Sequence, residues 1–217
     1  YRMNAQSNQI EQAFKRNGVP YRIIGGIRFF DRAEVKDMMA YLCVVNNPRD
    51  DLRLSRIINN PPRGIGASTI DRAQNIAQQE GLSLWDVVRQ PQKWPELQKA
   101  APKLGQFAEL IADLQRLATE LSLPDFYEEV IQRTGYAVML EQKRTIEDRT
   151  RLENVREVLS SIQNYLDNTL EEPSLAGFLD EIALYTDIDS HDSSEDCVVM
   201  MTMHSAKGLE FPVVFVV

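Results

Sequence analysis

A chain of 217 residues, 43% hydrophobic and 26% charged, has the make-up of a globular protein long enough to bury a real core. No apolar stretch approaches the roughly 20 residues that cross a bilayer, and the opening "YRMNAQSNQI" lacks the basic-then-apolar signature of a secretory leader. A cytoplasmic protein without a membrane span is therefore expected.

The formal net charge of −8 speaks at first against a polyanionic partner. Its distribution reverses that: residues 1–72 carry 12 Lys/Arg against 7 Asp/Glu, whereas the remainder carries 12 against 25. A basic segment on an acidic protein can hold phosphates, because the local field steers a polyanion. Cys43 and Cys197, far apart in apolar runs, read as buried reduced thiols. Two histidines and two cysteines without clustered spacing predict no metal site.

In chain order, "NAQSNQIEQAFKRNG" predicts a helix with Ile10, Ala13 and Phe14 on its apolar face, stopping at Gly18 and Pro20. "YRII" reads as a short strand, and Gly25-Gly26 after it as a hinge. From Asp31 the pattern is helical: Asp31 and Glu34 resemble a capping box, and Val35, Met38, Met39, Leu42 and Val45 form the apolar face. "NNPRDD" ends that helix and "LRLSRIIN" forms a short one. "NPPRGIGAST" is a rigid connection, with Ser68 expected to cap the helix that follows.

Trp85 follows in "SLWDVV", helices are then expected around "FAELIADLQRLATEL", "PDFYEEVIQRTG" and "RLENVREVLSSIQNYL", and "SLAGFLDEIALY" comes after them. Trp85, Phe126, Tyr127 and the Met38/Met39 pair read as core. "DIDSHDSSEDC" is an acidic connector, in which His191 has no visible role and "DSSED" reads as solvated acidic surface. The end changes character: "CVVMMTM" and "PVVFVV" read as strands buried on both faces of a parallel sheet. The expected fold is α/β overall but mainly helical. Residues 1–24 and 195–217 would make a partial parallel-sheet domain, interrupted by an all-helical insertion over residues 25–194. A sheet whose last strand runs to Val217 predicts a fragment of something longer.

Between the two final runs lies "TMHSAKGLEF". Ligands of α/β sheets gather at the carboxyl ends of strands, where this loop falls. Thr202 and Ser205 offer hydroxyls, His204 a donor or stacking face, Lys207 a point cation, Gly208 close backbone approach and Glu210 an acceptor for sugar hydroxyls. From the residues alone the loop fits either a solvated turn or a ligand site, and His204 with Glu210 lacks the third group that an acid/base pair needs. "RGIGAST" has a similar logic. Its glycines free backbone N–H groups for a phosphate, the next helix adds its N-terminal dipole, and Arg63 and Thr69 reinforce both.

"VVMMTMHSAKGLEFPVVFVV" resembles motif V of the UvrD/PcrA/Rep-type superfamily 1 ATP-dependent DNA helicases, and "YRMNAQS" resembles their DNA-contacting motif IVa. "YRIIGGIRFFDRAEVKDMMAYL" and "NPPRGIGASTID" are similar to stretches of the family's mobile 2B subdomain. The resemblance runs the whole chain in order. Met203 stands where leucine is usual, and Met3 where a small polar residue is commoner.

The resemblance implies a piece of a RecA-like motor domain, 2A, carrying an inserted 2B. Arg2, Asn4, Thr202 and His204 would meet single-stranded DNA. Lys207, Gly208 and Glu210 would meet the nucleotide. Arg63, Gly64, Ile65, Gly66, Ser68 and Thr69 would grip the duplex. It also implies ATP and Mg²⁺ as cofactors of the whole protein, 3′→5′ translocation, and repair or replication proteins as partners of the helical subdomain. No G-x-x-x-x-G-K-[ST] phosphate loop occurs, so no catalytic residue is expected here and the chain should not hydrolyse ATP. Two alternatives stand beside this reading. One is the helicase subunit of an AddA/RecB-type helicase–nuclease. The other is a non-catalytic helical module for protein binding or autoinhibition.

Overall fold

The structure is a computed structural model that describes residues 1–2, 6–24, 26–170, 172–188 and 197–217. Gly25, His191 and the "DSSED" connector lie outside the described residues. The fold is mainly helical α/β, with ten helices and one two-stranded parallel sheet among the described residues. It divides into two compact units. One comprises Tyr1–Lys36, Arg144–Pro173 and Gly177–Val217; the other comprises Asp37–Lys143 and Ser174–Ala176.

The first unit holds α1 (Ser7–Arg16), β1 (Tyr21–Ile23), the start of α2 (Ala33–Asn46), α9 (Ile146–Asn168), most of α10 (Leu175–Ile188) and β2 (Val198–Met200). β1 and β2 pair in parallel, with Tyr21 opposite Val198 and Ile23 opposite Met200. Two expectations are corrected here. β2 is exposed at Val198 and buried only by Met200, not buried on both faces. The run "PVVFVV" forms no strand: Val213 is 70% and Phe215 82% exposed. An apolar segment becomes a strand only through a neighbour's backbone groups, and this two-strand ladder offers residues 213–217 none.

α1 also departs from expectation. Ile10, Ala13 and Phe14 are only half-buried, and the buried face is polar: Ser7, Asn8, Glu11 and Gln12. The reason is its partner, α9, which presents amide and hydroxyl groups. Asn8 Nδ2 donates to Ser161 Oγ (3.1 Å) and Gln12 Nε2 to the same oxygen (2.7 Å), while Asn164 Nδ2 donates to Gln12 Oε1 (2.6 Å). This packing groups α9 with α1 in the first compact unit.

A buried polar network continues to the start of α2. That helix begins at Ala33, preceded by a 3-10 turn over Phe29–Asp31. Asp31 therefore precedes the helix by two residues, and its carboxylate pairs with Lys36 at 2.7 Å instead of closing a capping box. The buried Arg32 donates Nη1 to Asn154 Oδ1 and Nη2 to Ser7 Oγ, each at 2.8 Å. Ser7 Oγ donates to Glu11 Oε1 (2.7 Å), and Glu11 Oε2 accepts from the Phe29 N–H (3.2 Å). Asn154 Nδ2 closes the chain by donating to Glu34 Oε1 (2.6 Å).

Burial raises the Glu11 carboxyl above its ordinary 4.5, opposed less strongly by Ser7, the Phe29 N–H, Lys15 and Arg32. A carboxyl raised on folding binds its proton more tightly in the folded state. Its contribution to stability is full below the ordinary value and is lost as pH climbs through the raised one. Wild type should therefore lose stability relative to Glu11→Gln as pH rises above about 4.5. Paired urea denaturations at several pH values check this, and parallel curves would refute it.

The second unit is all helix. Its core is built on Tyr41, Leu42, Leu54, Ile57, Ile58, Phe107, Phe126 and Tyr127, all at or below 1% exposure. α2 is buried well beyond one stripe, since Val44 and Tyr41 join the expected Met38, Leu42 and Val45 in the core, with Met39 half-buried. α3 (Asp51–Ile57) is capped by Asp50, α5 (Leu84–Val88) by Ser83 and α7 (Leu123–Thr134) by Ser122, each side chain accepting the N–H three residues on. α4 spans Ala67–Glu80 and α6 Ala101–Glu120. α8 (Tyr136–Lys143), which the apolar spacing does not reveal, follows α7 directly after Gly135. It is held by tertiary contact: Tyr136 Oη donates to Asp37 Oδ2 at 2.6 Å, beside Arg56 Nε on Oδ1 at 2.6 Å. Cys43 and Cys197 are free and half-buried, and burial raises the Cys43 thiol.

Candidate nucleic-acid interface

The loop after β2 is organised by its own hydroxyls. Thr202 Oγ1 accepts from the Ser205 N–H (3.2 Å) and lies 3.0 Å from Ser205 Oγ, while the Ala206 N–H donates to Thr202 O (3.0 Å). Thr202 thus caps a tight turn, and the next residues project outward. His204, Lys207 and Glu210 are exposed, and among the described residues neither Lys207 nor Glu210 is in an ion pair. Gly208 takes a φ of +85°, in the region where a side chain would be strained, which lets the backbone turn back before Leu209.

The first residues of the chain lie against this loop. Tyr1 N donates to Met201 O (3.2 Å), and the Met203 N–H donates to Tyr1 O (2.9 Å). β1 uses the groups of Val198 and Met200, so Tyr1 occupies the opposite edge of the same stretch. Tyr1 is 8% exposed, and burial raises its phenol pKa, opposed by Arg32. Arg2, the next residue, is exposed, with its N–H on Gln6 Oε1 at 3.1 Å. Of the expected site residues, Arg2, His204, Lys207, Gly208 and Glu210 are therefore exposed and Thr202 is half-buried, while Asn4 lies outside the described residues.

The glycine turn belongs to the second unit and divides its expected residues into two kinds. Gly64, Gly66 and Ser68 are exposed and Thr69 half-buried, but Ile65 is fully buried. Arg63 turns inward. Nη1 donates to Ile57 O (3.0 Å) and Pro61 O (3.1 Å), and Nη2 donates to Tyr41 Oη (2.7 Å) and Thr134 O (3.1 Å). Its guanidinium lies over the Phe107 and Tyr41 rings at 5.4 and 5.8 Å. The expected capping by Ser68 does not occur: Gly66 is the N-cap of α4, with no side-chain cap and no acidic residue in the first turn.

Two residues that sequence reasoning missed complete the turn. Asn59 Oδ1 accepts from both the Arg63 N–H (2.8 Å) and the Ile65 N–H (3.1 Å), folding the loop around itself. An Asn ahead of Pro-Pro is a visible turn signal that could have pointed to it. Lys103, at the start of α6, donates Nζ to Gly64 O at 3.1 Å. Nothing local in "APKLG" could have announced that contact. Gly64 itself sits at φ +70°.

No described helix is long and apolar enough to cross a membrane, and no three described His, Cys, Asp or Glu side chains converge as a metal site. Over residues 1–217 the chain matches the UvrD-like helicase C-terminal domain, and it belongs to that family. It is 43% identical over its whole length to the ATP-dependent DNA helicase PcrA of Staphylococcus aureus strain Mu50, and 42% identical to that of Staphylococcus epidermidis strain RP62A. The chain spans about 30% of the length of these relatives.

Proposed function

We propose that this chain is part of an ATP-dependent 3′→5′ DNA helicase. In this reading residues 1–24 and 195–217 belong to the 2A motor domain and residues 25–194 to the 2B insertion. The observation that carries it is the backbone pairing of Tyr1 with Met201 and Met203, which joins the two ends of the chain at one loop. Arg2 supplies a cation to a single-strand phosphate, Asn4 an amide, and Thr202 and His204 the facing wall of that path. Lys207, Gly208 and Glu210, on the same loop, suit phosphate and ribose of a nucleotide, since among the described residues neither the Lys207 cation nor the Glu210 carboxylate is in an ion pair. ATP with Mg²⁺ supplies the driving free energy when bound to the whole protein. A loop contacted by both ligands couples their occupancies.

The exposed backbone of Gly64 and Gly66, with Ser68 and Thr69, holds duplex phosphates without reading sequence. The helical part also offers repair or replication proteins a surface. Without a phosphate-binding loop, the chain alone does not hydrolyse ATP.

The test is fluorescence anisotropy with a duplex bearing a 3′ single-stranded tail, titrated with salt. A grip on about three phosphates loses roughly 500-fold in affinity per tenfold rise in salt. Binding insensitive to salt, or absent at low salt in folded protein, would overturn the proposal.

A further inference from the structure

Arg63 is the cation that a reading of "RGIGAST" puts at the phosphate, yet its guanidinium is used on four internal acceptors and two rings. The turn still has a cation at its exposed face, and it comes from another helix. Lys103 and Phe107 stand one helical turn apart on α6, so their side chains share a face. Phe107 lies under the Arg63 guanidinium at 5.4 Å, and Lys103 reaches the Gly64 carbonyl at 3.1 Å. The same face of α6 thus supports the turn from inside and crowns it from outside.

Lys103 is exposed, and among the described residues no carboxylate lies within ion-pair distance of it. One of its three N–H donors goes to Gly64 O, which leaves two for an incoming oxyanion. The neighbouring first turn of α4 has no acidic side chain to repel that anion. A bond to the backbone of the turn fixes the ammonium where the exposed Gly64 and Gly66 backbone leads a phosphate.

We propose that Lys103 is the phosphate-facing cation of the duplex grip and that Arg63 is a positioning residue that shapes the turn without touching DNA. This rests on the duplex reading of residues 63–69. The chain would be assayed by anisotropy against a blunt duplex and a single strand over a salt series, with a melting curve for each variant. Lys103→Gln keeps a donor for Gly64 O and loses the charge, Lys103→Arg keeps both, and Ser68→Glu puts a negative charge on the turn itself.

Expected is a loss of about 5- to 10-fold in duplex affinity for Lys103→Gln, with the slope of log affinity against log salt shallower by about 0.9. Lys103→Arg retains wild-type behaviour, single-strand binding is unchanged, and melting is unaffected. If Lys103→Gln matches wild type while Ser68→Glu weakens duplex binding, the turn grips DNA and Lys103 does not. Weaker affinity at an unchanged slope assigns Lys103 a structural role and overturns its role as contact. If neither variant alters duplex binding, the grip reading itself fails.

Discussion

Replacing Arg63 with alanine is expected to lower the melting temperature of the chain by roughly 10 °C. The guanidinium ties together Ile57 O, Pro61 O, Thr134 O and the Tyr41 hydroxyl, which lie on or beside α2, α3 and α7, and it rests on Phe107 of α6. Burial pushes the Tyr41 phenol up to about 12, so it stays protonated: it accepts from Arg63 and donates to Asn60 O at 2.6 Å. Alanine strands these acceptors in a half-buried place and removes the plate on which the aromatic rings pack.

A loss of about 3 kcal/mol follows, since hydrogen bonds to charged groups contribute more than neutral ones and an orphaned acceptor costs its desolvation. Lysine does not restore it, because a point ammonium cannot reach four acceptors and stack at once. Thermal melts followed by circular dichroism decide the matter, and a midpoint within about 2 °C of wild type would contradict it. Loss of duplex binding in such a variant reports the collapse of the turn, so Arg63 variants are poor probes of DNA contact.

Arg32→Ala should be the more damaging change, at about 3–5 kcal/mol. Arg32 is 7% exposed, with Glu11 and Glu34, 3% and 7% exposed, as its charged neighbours in the network. Removing Arg32 leaves two buried carboxylates beside Ser7 and Asn154, which lose their donors from Arg32. The Glu11 carboxyl, already raised by burial, would be raised further once Arg32 no longer opposes that shift.

The cost should fall when Glu11 is neutralised in the same chain. A double-mutant cycle of Arg32→Ala with Glu11→Gln is expected to give a coupling of about 1 kcal/mol or more, measured by urea denaturation. Additive effects would mean that the network is a set of independent contacts.

Much of the chain was legible as sequence because helix signals are local. Pro124 near the start of α7 and Gly135 after it, the apolar spacing of α6 and α9, and the Pro/Gly punctuation of residues 60–66 all act within a few residues of where they stand. So do the strings of the strand-end loop and the glycine turn, whose resemblance to a helicase family the whole-chain match bears out. What local pattern misjudged has a common cause. The buried side of α1 is polar because α9, 149 or more residues away, meets it with Ser161 and Glu157. The apolar run 213–217 reads as strand by composition, yet a strand exists only where a ladder receives it.

The division of labour in the turn shows the same limit. The glycine spacing specified an exposed turn, and the sequence by itself determined that much, along with most of the helices and the family. Which side chains face outward was decided by tertiary structure alone. Lys103 meets Gly64 across 39 residues, and Arg63 finds Thr134 across 71. A charged side chain can be satisfied by solvent or by carbonyls brought to it from elsewhere. Residue type and spacing do not distinguish the two; only the folded packing of α2, α6 and α7 around the turn does.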